Sequence, residues 1–344
     1  MREITRLPKA HLHVHLESTV RWDTLREIGA ANGVTVPDGP GEGPGDGPRA
    51  FGGFREFADH NALVREALRR PEDFHRIALE FCADEAAQGT GYAEVTFTAA
   101  SHGERLGDLD MPLQAVLAGL AEGREAYGVE CRVLLDHSRR RSVERAWRTL
   151  DLASRYAAEG VAGIGLAGEE SYPLTPFAEV FQAAADAGVH VVHHAGESEG
   201  PASIREAITT GRTERLGHGV RVLEDGDLVA EVRERRMPLE VCPSSNVALG
   251  VASSLPAHPL PLLRDAGLIV TLNTDIPSIV GTTLAREYAV ARDVFGYDDH
   301  VLAELALASV DASFAPEGTK ERLRRGVGAW LAGDAETTGV TSVT

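Results

Sequence analysis

The sequence predicts a (β/α)8 barrel, and three observations lead there. Eight short, β-branched apolar runs alternate with longer stretches whose apolar residues recur at helical spacing. No Gly-rich dinucleotide turn follows the first run, which disfavours the other common alternating fold, an open doubly wound sheet. Polar residues that interrupt the strand pattern fall mostly at strand C-terminal ends, where a barrel carries its active site.

The strand-like runs cover residues 10–16, 92–98, 130–136, 161–166, 189–194, 215–218, 238–242 and 268–273. Helical spacing appears between them, for instance over 177–187, 203–210 and 260–266. A longer helical block, 22–88, exceeds a simple crossover and is expected to add helices over the C-terminal mouth. Inside it, the alternating Gly and Pro of residues 38–48 can form neither helix nor strand and read as a loop. The expected organisation is one barrel domain over 1–332, followed by a frayed Gly- and Thr-rich tail over 333–344.

Hydrophobic residues make up 43% of the 344 positions and charged residues 25%, a globular mixture rather than a fibrous or disordered one. The formal charge of −18 repels phosphate backbones and anionic lipid, so neither nucleic acid nor membrane is an expected partner. No apolar run reaches the ~18 residues of a membrane span. The N-terminus reads as no signal peptide, and Cys82, Cys131 and Cys242 form no CxxC pair, so a cytoplasmic protein with a small-molecule substrate is expected. Oligomeric state has no sequence signal here.

Strand one reads His11-Leu12-His13-Val14-His15-Leu16-Glu17. Alternate residues of a strand share a face, so His13 and His15 can point together at one ion, with His11 deeper in the barrel. A lone histidine is usually a hydrogen-bonded core residue, but three in alternation are hard to explain that way. Strand five ends His193-His194-Ala195-Gly196-Glu197, strand six Leu216-Gly217-His218-Gly219, and strand eight Asn273-Thr274-Asp275. Imidazole and carboxylate are the ligand types that zinc takes. Four such ends in barrel order point to a metal hydrolase.

These segments, together with Leu7-Pro8-Lys9-Ala10 before strand one, Leu166-Ala167-Gly168-Glu169-Glu170, Gly281-Thr282-Thr283-Leu284 and Glu287-Tyr288, resemble the adenosine deaminase family over residues 5–330. The resemblance implies a metal-dependent TIM barrel that hydrolyses the 6-amino group of a purine. It implies one Zn2+ per chain held by His13, His15, His194 and Asp275. Glu197 is then the acid that protonates the ring nitrogen, and His218 the histidine that orients the attacking water. Glu17 corresponds to a sugar contact and Gly168 to a backbone group near the ring. The chemistry agrees. An aromatic amine leaves poorly; a bound metal lowers the pKa of water to about 7, and a general acid prevents charge from accumulating on the ring. Asp275 can also accept the proton of the water.

Several positions depart from the family pattern. Ile276 stands where a purine-contacting Asp is usual, His11 where an acid precedes the first ligand, Ser18 where Gly follows Glu17, and Gly165 where Asp precedes Leu166. Ile276 cannot bond the ring N7, so the expectation is that adenosine turns over poorly. The leading expectation is thus a zinc aminohydrolase for adenosine or a related 6-aminopurine. The alternatives are the same site acting on another amino-heterocycle or hydrolysable bond, or a non-catalytic metal-binding barrel. His102, His137 and Arg139–Arg141 are expected near the mouth, the arginines as a solvated helix start or as a clamp for an anionic substrate group. Of His190 and His193, one is expected behind the ligand His194 and the other in the core.

Overall fold

A computed structural model describes residues 1–36 and 62–333. The Gly/Pro stretch at 38–48 and all of the tail beyond Gly333 lie outside the described residues. Eight parallel strands follow one another in chain order: β1 (Lys9–His15), β2 (Thr90–Phe97), β3 (Glu130–Ser138), β4 (Val161–Ala167), β5 (His190–Ala195), β6 (Arg215–His218), β7 (Leu239–Val241) and β8 (Val270–Leu272). Each of the eight expected runs is a strand. The ring closes just beyond β8, where Asp275 N donates to His13 O at 3.0 Å and His15 N to Asp275 O at 2.9 Å. Closure thereby fixes two expected metal ligands, His13 and His15, against a third.

Helices cover the strands from outside, so strand residues are buried on both faces, polar ones included. The 22–88 block divides between two places. Its second half, helix Pro71–Ala87, joins the outer ring and packs closely on Met111–Tyr127. A Cβ at Gly119 would stand 2.4 Å from His75 O, so the bare glycine permits that approach. Upstream, the helical residues 62–67 bring Arg65 to the wall of the mouth cavity.

The base of the barrel is shut by buried charges whose hydrogen bonds are satisfied. Lys9, fully buried, donates to Ile4 O, Leu7 O and Gln88 O at 2.6–2.7 Å. Inside the barrel, Arg215 bridges Glu94 and Glu240, the latter at 2.6 Å, and lies over the Phe314 ring at 4.0 Å. Among the described residues no helix is long and apolar enough to cross a membrane.

Candidate active site

The strand ends converge on a cavity of about 660 Å3 at the C-terminal mouth. His13 and His15 reach it from β1, His194 from β5, His218 from β6, and Asp275 from the turn after β8. His218 and Asp275 have φ of 64° and 62°, a region most residues avoid, and the turn that aims them inward imposes it. Gly217 makes room: a Cβ there would lie 2.9 Å from His13 Cε1.

The nitrogen and oxygen atoms meet at short range. Asp275 Oδ1 is 3.5 Å from His13 Nε2 and 3.4 Å from His15 Nε2, and His15 Nε2 is 3.2 Å from His194 Nε2. Four ligands at zinc's usual 2.0–2.1 Å in a tetrahedron are about 3.3 Å apart, so the set fits such an ion. His13 Nε2 is buried with no hydrogen-bond partner, while its Nδ1 lies 2.8 Å from Glu240 Oε2. A carboxylate can only accept, so Nδ1 carries the proton and Nε2 turns a lone pair to the centre. Asp275 Oδ2 accepts from Ser245 Oγ at 2.5 Å. Burial opposes its charge, yet the neighbouring imidazoles hold its carboxyl below the usual range. His218 offers an atom within 4.8 Å of those of His13, His194 and Asp275.

Glu197 stands beside this group with Oε1 3.5 Å from His218 Nε2. Burial, then the charges of Asp275 and Glu170, push its carboxyl well above the ordinary value, the direction a proton donor needs. Glu170 positions it: its carboxylate accepts from the backbone N–H of Gly196, Glu197 and Ser198 at 2.7–2.8 Å. Burial pushes the His194 pKa well down, followed by the charges of His13 and His15, which favours the neutral form that a ligand needs.

Glu17 and Gly168 line the cavity. Glu17 accepts from Thr98 N at 3.1 Å, with His102 Nε2 at 3.2 Å, and these contacts hold its carboxyl low although burial opposes charge. His102 itself is fully buried and stacks on Phe97, so it steadies Glu17 rather than facing the mouth. His137 is also buried, against Phe177. Of the three arginines, Arg139 turns inward to the carbonyls of Glu170, Tyr172 and His194, whereas Arg140 and Arg141 line the cavity. Arg139 therefore cannot clamp a substrate.

Ile276 is only 1% exposed and packs with Ala248, Ile279 and Val280. It is not part of the cavity wall; Leu249, which packs on that cluster, is, together with Val251. Leu249 thus stands between Ile276, expected as a substrate-pocket residue, and the cavity. His11 is held by Glu85 at 3.0 Å and Thr274 Oγ1 at 3.0 Å, away from the ligand atoms. His193 is core, bonded by Leu166 N and to Gly211 O. His190 sits instead at the start of β5, paired with Glu214 and stacked on Phe314, and backs no ligand.

Four contributors escape a reading of the sequence: Asp136, Glu240, Asn246 and His258. Asp136 lines the cavity 3.9 Å from His15 Nδ1, its Oδ1 has no partner, and burial raises its pKa. Its strand position, one residue before His137, is the available signal, since alternation sends neighbours to opposite faces.

The adenosine deaminase family model matches residues 8–330. The chain belongs to the adenosine deaminase family. It is a deaminase, a hydrolase of carbon–nitrogen bonds. It is 36% identical over 338 residues to a putative adenosine/adenine deaminase of Streptomyces coelicolor, covering 96% of this chain and 98% of that one. It is 37% identical to an aminodeoxyfutalosine deaminase of the same organism, covering 96% and 87%. The crystal structure of an adenine deaminase from Arthrobacter aurescens superposes with a TM-score of 0.85 at 29% identity, covering 94% of this deaminase and 99% of that chain.

Proposed function

We propose that this deaminase is zinc-dependent, with one ion per chain, and releases ammonia from adenosine or a related 6-aminopurine in the cytoplasm. The observation that carries the reading is the buried Glu197 carboxyl, its pKa pushed up, facing across one cavity an imidazole–carboxylate set with the spacing of a zinc site. His13, His15, His194 and Asp275 would hold the ion, which when bound supplies a lowered water pKa. Glu197 hands its proton to the ring nitrogen as the ring carbon is attacked. Asp275, its Oδ2 tied to Ser245, takes the water proton at Oδ1 and passes it to the amino nitrogen, which leaves as ammonia while the adduct's hydroxyl proton returns to Glu197. His218 faces the attacking oxygen with Nε2. Glu17 suits a sugar hydroxyl, and the backbone of Gly168 the ring edge. The free thiols of Cys82, Cys131 and Cys242 fit a reducing compartment.

The second reading, another amino-heterocycle, has its own support. The wall by the post-β8 turn is apolar, formed by Leu249 and Val251 with Ile276 behind, and gives a ring N7 no side-chain donor there. Relatives of nearly equal identity also carry names with different substrates. Zinc-loaded enzyme, challenged with adenine, adenosine, adenosine monophosphate and non-purine amino-heterocycles, is assayed for ammonia. Efficient release from a 6-aminopurine supports the first reading; release only from a non-purine establishes the second.

A further inference from the structure

Two imidazoles at the centre are backed in opposite ways. His13 Nδ1 faces a carboxylate, Glu240 Oε2, which can only accept. His218 Nδ1 faces the amide nitrogen of Asn246 at 3.2 Å. The far end of that contact fixes its sense. Leu260 N, always a donor, gives its hydrogen to His258 Nδ1 at 3.1 Å. The proton of neutral His258 therefore sits on Nε2, which lies 3.1 Å from Asn246 Oδ1. With its oxygen engaged, Asn246 turns its NH2 to His218 Nδ1, and the opposite amide orientation would face one donor against another. All three side chains are buried, and each ring, its Nδ1 bare, keeps its one proton on Nε2.

We infer that Leu260 N–H, His258 and Asn246 form a tautomer lock that makes His218 present Nε2–H to the cavity, as a hydrogen-bond donor and not as a metal ligand. The inference rests on the proposed function only for where the reaction occurs. On the proposed ligand set it keeps His218 from the ion, although its ring lies within reach of His13, His194 and Asp275. The lock also defines what His218 does. Its N–H points where negative charge develops on the attacking oxygen, and Glu197 Oε1 at 3.5 Å marks that side. His258 and Asn246 are positioning residues, acting through His218.

The test is long-range 1H–15N spectroscopy of 15N-histidine-labelled protein, ion-free and zinc-loaded, with the His218 signals assigned from His218→Gln. The expected result is a protonated Nε2 and a bare Nδ1 in both states. An Nδ1-protonated His218 in either state overturns the lock, and this wild-type spectrum decides even if no variant folds. Asn246→Asp offers acceptors to both neighbours, so His218 should move its proton to Nδ1. Its kcat should then fall about 100-fold while KM and zinc content stay near wild type. An unchanged tautomer in that variant also overturns the inference. If no aminopurine releases ammonia, the proposed substrate class fails, but the spectrum still answers separately.

Discussion

The interior beneath the site and the mouth above it both bury charge, but they treat it differently. Below, Lys9 makes three hydrogen bonds, and Arg215 is engaged by Glu94, Glu240 and Ala312 O, the last at 2.9 Å. Above, His13 Nε2, His218 Nε2, Glu197 Oε1 and Asp136 Oδ1 are buried without partners. Buried polar atoms are nearly always satisfied, so a cluster of unsatisfied ones marks where something else completes the bonding. Paired charge reads as structure, and unpaired charge as a site prepared for ion and substrate. His13 belongs to both regions, with Glu240 below and the open centre above.

The largest expected effect breaks the unpaired side. Glu197→Gln keeps the shape and the backbone bonds to Glu170 but has no proton to give. Turnover should fall by about 10²–10⁴, with zinc content and thermal midpoint unchanged. A loss of only a few-fold, measured by ammonia release, would assign the acid to another group.

Breaking the paired side should damage stability first. Arg215→Met leaves Glu94 and Glu240 facing each other without their cation, in a barrel where all three are at most 1% exposed. Removing one partner of a buried ion pair costs about 3–5 kcal/mol. Urea unfolding of the zinc-loaded variant should show that loss. An unchanged midpoint would mean that the network contributes little to holding the interior together.

The contrast also explains what the sequence disclosed. Strands were legible because β-branched runs are the local signature of covered parallel strands, and the meeting of His13 and His15 because alternation on β1 puts them on one face. The partners were not legible, because they meet only in three dimensions. Glu240 lies on β7, 227 residues from the His13 that it orients, and Asn246 and His258 sit in connections after β7. Direction was misleading at residues just after strands. His102 and Arg139 follow strands as mouth residues do, yet one turns back to Glu17 and the other to backbone carbonyls.

A smaller effect tests a buried histidine that belongs wholly to the structural side. Burial lowers the His193 pKa from 6.5 to about 3. Between those values the unfolded chain binds the proton and the folded chain does not, so the contribution of His193 shrinks as pH falls. The stability gap between wild type and His193→Gln should narrow by roughly 1.4 kcal/mol per pH unit from about pH 6.5 to 5. Comparing two proteins cancels the titration of other groups. A gap independent of pH would mean that His193 takes up its proton in the folded state as readily as in the unfolded one.

The smallest effect concerns Ile276, where mouth and packing meet. Its side chain is buried with Ala248, Ile279 and Val280, one layer behind the Leu249 that borders the cavity. Ile276→Val removes one methylene from that cluster, which costs about 0.5–1.5 kcal/mol of stability where neighbours relax only partly. Because Leu249 stands between, KM for the best substrate should change less than about twofold, a shift worth under about 0.5 kcal/mol. Ile276→Asp is the harsher form of the same test. Its carboxylate would enter an apolar cluster with no partner, so it should lower the thermal midpoint and leave adenosine no better a substrate. A gain in kcat/KM for adenosine in the Asp variant, with the fold intact, would place position 276 on the ring after all. Specificity would then be read from that one residue rather than from the Leu249–Val251 wall.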